Sequence, residues 1–138
     1  MVKASSKKRS SAKYDVIMKG KATTTKIVDI GNQIVRFASH DNGQATGKHY
    51  SGVHCDTVES TMLVDGSASL TIRYLHITNK GESITGTGTG TQMALDKRGV
   101  AKITGEGTMW ISAPRLSHLN GLKQIQTTRI MYQFLQNQ

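Results

Sequence analysis

Cysteine and proline are almost missing from this chain of 138 residues, which contains only Cys55 and Pro114. A single cysteine excludes a disulfide within the chain, so nothing in the sequence argues for an oxidising compartment. No apolar run is long enough to span a bilayer. The basic residues at the start are not followed by the apolar stretch of a secretory signal. Together these absences predict a cytoplasmic protein without a membrane span.

Acidic and aromatic residues are also scarce. The chain has 9 Asp and Glu against 18 Lys and Arg, a net charge of +9, and only 5% aromatic residues. Residues 1–13 contain no acid and few apolar groups, which predicts a disordered basic tail. The tail either only increases solubility or contacts nucleic acid or an acidic partner. Its basic residues are Lys3, Lys7, Lys8, Arg9 and Lys13.

Alternation of apolar and β-branched residues with polar ones dominates from residue 14 onward, and turn signals divide it at short intervals. This pattern predicts one all-β domain over residues 14–138, an antiparallel meander of about eight strands closed into a barrel, since closure removes the two sheet edges. Three leucines spaced three apart predict a short helical turn near residues 114–122. The turn signals are Gly31-Asn32, Asp41-Asn42-Gly43, Asp65-Gly66, Asn79-Lys80-Gly81 and Asp96-Lys97-Arg98-Gly99.

Glycine occupies alternate positions in the two strands predicted over residues 86–108, although glycine weakens strands. In a tightly coiled barrel, glycine relieves the crowding of inward side chains. Two registers are open: one sets Gly90 opposite Gly105, and the other, shifted by one residue, makes Gly99 a bulge. The hairpin lacks the third glycine of a dinucleotide fingerprint and the Lys-Ser/Thr pair of a P-loop, so no cofactor is predicted.

Three segments carry a resemblance to a known family. They read GTGTGTQ at 86–92, GVAKITGEGT at 99–108 and SAPRLSHLNG at 112–121. In their order they resemble the allene oxide cyclase-like, calycin-type small β-barrels, which include uncharacterised bacterial and archaeal domains. The resemblance implies a barrel, often oligomeric, whose cavity binds or cyclises a hydrophobic molecule. It supplies no catalytic motif that transfers to numbered positions, so enzymatic activity stays open.

Tyr74 and His76 are candidate catalytic and ligand-binding residues. The strand predicted over residues 69–78 places both on the face that carries Leu70 and Ile72. If this face is the interior, the two side chains can orient a ligand or move a proton near one mouth of the barrel. They can equally be a hydrogen-bonded core tyrosine and a rim histidine. The opposite face is also partly apolar, so the inward face is open.

Glu106 and Trp110 share a face of the second glycine-rich strand. Glu106 is a candidate catalytic acid if a barrel mouth buries it, because burial favours the protonated form of a carboxyl group. On the outside it would instead pair in solvent with Lys102 or Arg98. Trp110 is a candidate ligand contact.

Arg115 and His118 follow the only proline, in a segment between strands where functional residues are often found. Arg115 can bind an anionic group as a catalytic candidate, or it can cap the end of the barrel. His118 is a further candidate ligand contact.

The histidines do not form a metal-ligand pattern. On one continuous strand His49 and His54 face opposite sides, and His49 lies about 20 Å from Cys55. Zinc-type spacing is absent, so no metal site is predicted. Cys55 is expected to be a small buried hydrophobic residue rather than a nucleophile.

The leading hypothesis is a barrel that binds a small, largely apolar molecule and acts as an isomerase or cyclase by its shape. Its polar candidates are Tyr74, His76, Glu106 and Arg115. One alternative is a binding module that contacts nucleic acid or an acidic partner through residues 1–13. Another is a structural oligomer assembled through faces that the glycines leave open.

Overall fold

A computed structural model of the chain describes residues 16–131. The basic arm of residues 1–13 and the last residues, 132–138, lie outside the described part. No helix within it is long and apolar enough to cross a membrane. The strands are β1 (Val16–Gly31), β2 (Ile34–Gly47), β3 (Ser51–Leu63), β4 (Ala68–Thr78), β5 (Ser83–Gln92), β6 (Val100–Ile111) and β7 (Gly121–Ile130).

All seven strands form one antiparallel sheet, in which each strand pairs with the next one along the chain. This confirms the predicted all-β meander. A 3-10 helix, Pro114–Leu119, lies between β6 and β7 and confirms the helical turn, although it ends before residue 122. Within residues 16–131, β1 and β7 do not pair with each other. Closure into a barrel therefore stays a prediction.

The sheet is strongly curled, because side chains from strands far apart in its order meet on its concave face. The sulfur of Met18, on β1, contacts the ring of His76, on β4. Met131, directly after β7, packs against Ala22 of β1 and Phe37 of β2. These contacts bring both ends of the meander to the same interior.

The glycine-rich hairpin of β5 and β6 adopts the first of the two predicted registers. Gly88 lies opposite Gly107, and Gly90 lies opposite Gly105. A Cβ atom added to Gly105 would come within 2.2 Å of the carbonyl oxygen of Thr89 on the paired strand. The backbones therefore approach more closely than any other residue would allow, which supports the predicted role of these glycines in curvature.

Four of the five predicted turns form, each with a residue in the left-handed region. The turn predicted at residues 41–43 is wrong, because β2 runs straight through it. Gly43 serves a close approach instead: an added Cβ atom would lie 1.8 Å from the carbonyl oxygen of Lys19 on β1. The left-handed residues at the turns that do form are Asn32, Gly66, Gly81 and Gly99.

The apolar core is divided along the strands. Leu116 and Leu119 of the 3-10 helix pack into one cluster, which includes Ile84 and Met109. Leu70 and Ile103 belong to a second cluster, further along the same strands. Between the two clusters, the inward positions of β3 and β4 carry polar side chains. They are His54, Asp56, Tyr74 and His76.

Candidate functional site

The polar interior is built from two directly opposed residue pairs on β3 and β4. His54 faces His76, and Asp56 faces Tyr74. Alternate residues of a strand point to the same face, so all four side chains lie on the concave side. Of the two faces left open for β4, the one that carries Tyr74 and His76 lies inside, and Arg73 on the other face makes an exposed ion pair.

These side chains belong to a buried chain of hydrogen bonds, here called the Tyr–His–His–Asp chain, which consists of Tyr50, His76, His54 and Asp56. The Tyr50 hydroxyl lies 2.7 Å from His76 Nδ1, and His76 Nε2 lies 2.9 Å from His54 Nδ1. His54 Nε2 lies 2.9 Å from Asp56 Oδ2. His76 is fully buried, and Tyr50 and His54 are each only 6% exposed.

The direction of this chain follows from its last member. If Asp56 is ionised it can only accept, and a neutral His54 then carries its hydrogen on Nε2 and leaves Nδ1 bare. Neutral His76 then donates from Nε2 to His54. Its own bare Nδ1 accepts from the Tyr50 hydroxyl. With both imidazoles neutral, every donor in the chain points towards Asp56.

Burial shifts the proton equilibria of the two β4 residues in opposite directions. It lowers the pKa of His76 to about 4, with a further lowering from nearby His54, against which the charge of Asp56 acts. Burial also raises the pKa of Tyr74 to about 12. At neutral pH, His76 is thus an uncharged imidazole and Tyr74 an intact hydroxyl donor.

A carboxyl pair extends the chain. Asp41, on β2, lies directly opposite Asp56. Burial, a hydrogen bond with Asp56 and the charge of Asp56 raise the pKa of Asp41 to about 7, while Arg129 of β7 acts in the opposite direction. Asp56 Oδ1 is buried and receives no bond from a nitrogen or hydroxyl donor of the described residues. A proton on Asp41 would supply Asp56 with a donor.

Tyr74 occupies the space that a glycine leaves. A Cβ atom added to Gly86, its partner on β5, would lie 2.1 Å from the Tyr74 ring. The Tyr74 ring stacks on that of His76, with centroids 4.9 Å apart and planes at 29°. Tyr74 is only half-buried, whereas His54 and His76 are buried, so the Tyr74 ring is the most accessible of these three rings.

The other predicted site residues are not part of this interior. Glu106 and Trp110 lie on the outer face, where Trp110 is 52% exposed. Of the two alternatives for Glu106, the outward one is observed, and it lines an outer pocket of about 410 Å³ together with Thr89 and Gln124. Arg98, one of its two predicted partners, pairs with Asp96 instead.

Arg115 and His118 lie on the 3-10 helix, at one end of the sheet. The Arg115 guanidinium binds both carboxylate oxygens of Glu82, just before β5, and contacts the carbonyl oxygen of His49. The bonds from Arg115 hold the pKa of Glu82 below its ordinary value. The exposed His118 ring makes an edge contact with the His49 ring. Arg115 thus ties the helix to neighbouring turns, which fits the capping alternative.

Sequence reasoning does not find most of the polar interior. It gives Tyr50 no place beside the histidines, assigns Asp41 to a turn, and tests His54 only against neighbours in sequence. The alternation of Asp41 with Gly43, and of His54 with Asp56, is the signal that marks one strand face. It becomes informative only once the strands are paired.

The cysteine prediction is wrong, because Cys55 is exposed. Its neighbour His54 points inward, so strand alternation turns Cys55 outward. In residues 16–131, no group of three or more His, Cys, Asp or Glu side chains is arranged to hold a metal ion. Comparison with protein-family models, with curated proteins and with solved structures finds no match.

Proposed function

We propose that the concave face of the sheet binds a small, largely apolar molecule beside Tyr74 and His76. We further propose that the Tyr–His–His–Asp chain moves a proton to or from this molecule, so that the protein acts as an isomerase or cyclase. The proposal agrees with what a resemblance to allene oxide cyclase-like barrels implies, and it needs neither Glu106 nor Trp110.

The observation that carries the proposal is the buried chain itself. A core that served only packing would fill these positions with apolar side chains, because a buried polar group costs free energy unless every one of its hydrogen-bond partners is in place. Here four titratable side chains instead form one chain of hydrogen bonds. Strongly shifted pKa values in such a cluster, about 4 for His76 and about 7 for Asp41, are typical of functional sites.

The chemistry follows from the two rings that stack. Tyr74 can donate a hydrogen bond to an oxygen of the bound molecule, since its hydroxyl stays protonated at neutral pH. Tautomer exchange in His76 and His54 would carry a proton along the chain, from Tyr50 to Asp56 and its partner Asp41. Apolar neighbours such as Ile72, half-buried on the same face, would hold the rest of the molecule.

We also propose that β1 and β7 close the sheet into the calycin-type barrel predicted from the sequence. The support is the packing of Met131 against β1 and β2, and the contact between Met18 and His76 across the interior. The alternative functions, binding through residues 1–13 and assembly as a structural oligomer, stay predictions.

The test is binding of a lipophilic fluorescent probe to the full chain, measured for three variants. Tyr74→Phe keeps the ring over Gly86 and removes only the hydroxyl. Trp110→Ala is the matched control on the outer face. Deletion of residues 1–13 separates probe binding from salt-dependent binding of nucleic acid.

We expect saturable probe binding that survives Trp110→Ala and the deletion. Tyr74→Phe should weaken binding of a probe that carries a carbonyl oxygen, and unfolding curves check that the variant is intact. Proton transfer would appear as incorporation of deuterium into the bound molecule in D₂O, observed by NMR. Probe binding that is lost in Trp110→Ala and unaffected by Tyr74→Phe would place the site on the outer face and overturn the proposal.

A further inference from the structure

Two ring nitrogens and one thioether sulfur, from three different strands, meet at His76 Nε2 in the polar interior. His76 Nε2 lies 2.9 Å from His54 Nδ1 and 3.1 Å from Met18 Sδ. The two histidines come from β4 and β3, and Met18 comes from the edge strand β1. One atom, His76 Nε2, is therefore shared by two neighbours.

Hydrogen bonding accounts for only one of these contacts. The Nε2 atom of neutral His76 carries at most one hydrogen, and that hydrogen satisfies His54 Nδ1. The thioether sulfur of Met18 is a weak acceptor that has no donor of its own to offer. It nevertheless lies as close to the nitrogen as a bonded partner. Two ring nitrogens and one sulfur thus meet with a single hydrogen among them, and a cation that took the place of this hydrogen could bind all three.

In each of the two rings, the nitrogen that faces away from the other histidine makes a hydrogen bond, as is usual in metal-binding histidines. The remaining nitrogen of His54 bonds a carboxylate, Asp56, and the remaining nitrogen of His76 bonds the Tyr50 hydroxyl. Such outer partners fix the ring orientation and raise the basicity of the ligand atom. Two nitrogens 2.9 Å apart can each lie about 2.0 Å from one ion at an angle near 90°.

We propose that His54 Nδ1, His76 Nε2 and Met18 Sδ bind one soft monovalent cation of the Cu(I) class. A thioether ligand favours Cu(I) over harder ions, while imidazole accepts it equally well. A structural zinc site would need four ligands, and among the described residues no three His, Cys, Asp or Glu side chains are arranged to hold one ion.

Binding of the ion requires no redox step and no loss of a proton. His76 moves its hydrogen from Nε2 to Nδ1, and the Tyr50 hydroxyl rotates its own hydrogen away so that its oxygen accepts from Nδ1. Both ligand nitrogens then present lone pairs. The ion replaces the hydrogen that the two histidines shared, so it would interrupt the Tyr–His–His–Asp chain. Met18 is 41% exposed, which gives the ion a route from the β1 edge.

The experiment is an anaerobic titration of the full chain with Cu(I), in competition with a chromogenic Cu(I) chelator. All proteins carry Cys55→Ser, because the exposed thiol of Cys55 would itself bind Cu(I). Met18→Leu removes the sulfur at nearly constant volume. Met93→Leu, at a 60% exposed position outside the cluster, is the matched control.

We expect one ion per chain. Met18→Leu should lower the affinity about tenfold or more, the size seen even when an outer partner of a metal ligand is lost. Met93→Leu should leave it unchanged. Ag(I), a stand-in for Cu(I) that air does not oxidise, should shift the ¹⁵N NMR signals of His54 and His76.

An affinity that Met18→Leu leaves unchanged would overturn the proposal, as would Zn(II) binding at least as tightly as Cu(I). These readouts do not involve a lipophilic probe. Failure of the ion site and failure of the proposed ligand-binding function are therefore distinguishable.

Discussion

Gly105→Ala is expected to destabilise the protein, although the change adds only one methyl group to β6. The new Cβ atom would lie 2.2 Å from the carbonyl oxygen of Thr89 and 2.7 Å from Cα of Gly90. Both are backbone atoms of the paired strand, so no side-chain rotation can relieve the overlap. The two strands would have to separate locally or lose part of their coil.

The size of the effect is set by two opposing terms. Forcing an extra carbon into a packed position typically costs about 1–3 kcal/mol. Replacing glycine by alanine recovers about 0.4–1 kcal/mol through the unfolded chain, because alanine has less backbone freedom to lose. A net loss of about 1–2 kcal/mol remains for Gly105→Ala. For a chain of this length, that lowers Tm by roughly 4–8 °C.

Gly31→Ala is the matched control, because an added Cβ atom there meets nothing within 4 Å. Gly31 is not among the glycines with positive φ, so alanine fits its backbone and only the favourable term should act. Thermal unfolding followed by circular dichroism, together with urea midpoints, measures both variants. A Tm for Gly105→Ala equal to or above the wild-type value would refute the account of the glycine-rich hairpin.

Two further predictions concern the polar interior. Folding raises the pKa of Asp41 from 3.8 to about 7, so its contribution to stability is complete below pH 3.8 and is lost as the pH rises through 7. Folding lowers the pKa of His76 from 6.5 to about 4, so its contribution to stability is complete above pH 6.5 and is lost as the pH falls through 4. Asp41→Asn removes the contribution that falls with rising pH and leaves that of His76, which rises. Between pH 4 and 6.5, the free energy of unfolding in urea should therefore increase with pH more steeply for this variant than for the wild type. Parallel pH curves for the two proteins would contradict the assignment. Tyr50→Phe leaves the buried Nδ1 of His76 without its donor, so we expect a loss of about 1–3 kcal/mol in urea unfolding and a changed ¹⁵N signal of His76; an unchanged midpoint would show that the bond contributes nothing.

Local sequence signals were sufficient for the strands and most turns. Asn32, Gly66, Gly81 and Gly99 are residue types that tolerate positive φ, and all four adopt it. The signal at residues 41–43 failed because glycine has two uses. It permits a turn, and it also permits a neighbouring strand to come close, which is what Gly43 does.

The hairpin register and the site depend on contacts between distant residues, which explains why sequence reasoning reached them only in part. Gly88 and Gly107 face each other, and a Cβ atom added to Gly88 would lie 3.0 Å from the side chain of Ile125 on β7. Tyr74 and His76 could be placed on one face by alternation alone. That His54 lies opposite His76 follows from the pairing of β3 with β4, and a pattern within a single strand does not contain this information.

The glycines and the polar chain are parts of one arrangement. Tyr74 can lie flat against His76 only because Gly86, beside it on the sheet, has no side chain. A Cβ atom at residue 86 would push the ring away and open His76 to water, which would weaken the burial that keeps this histidine neutral. The alternating glycines of β5 therefore do more than bend the strand. By leaving room for the Tyr74 ring, Gly86 helps to keep His76 buried, and this burial lowers the pKa of His76.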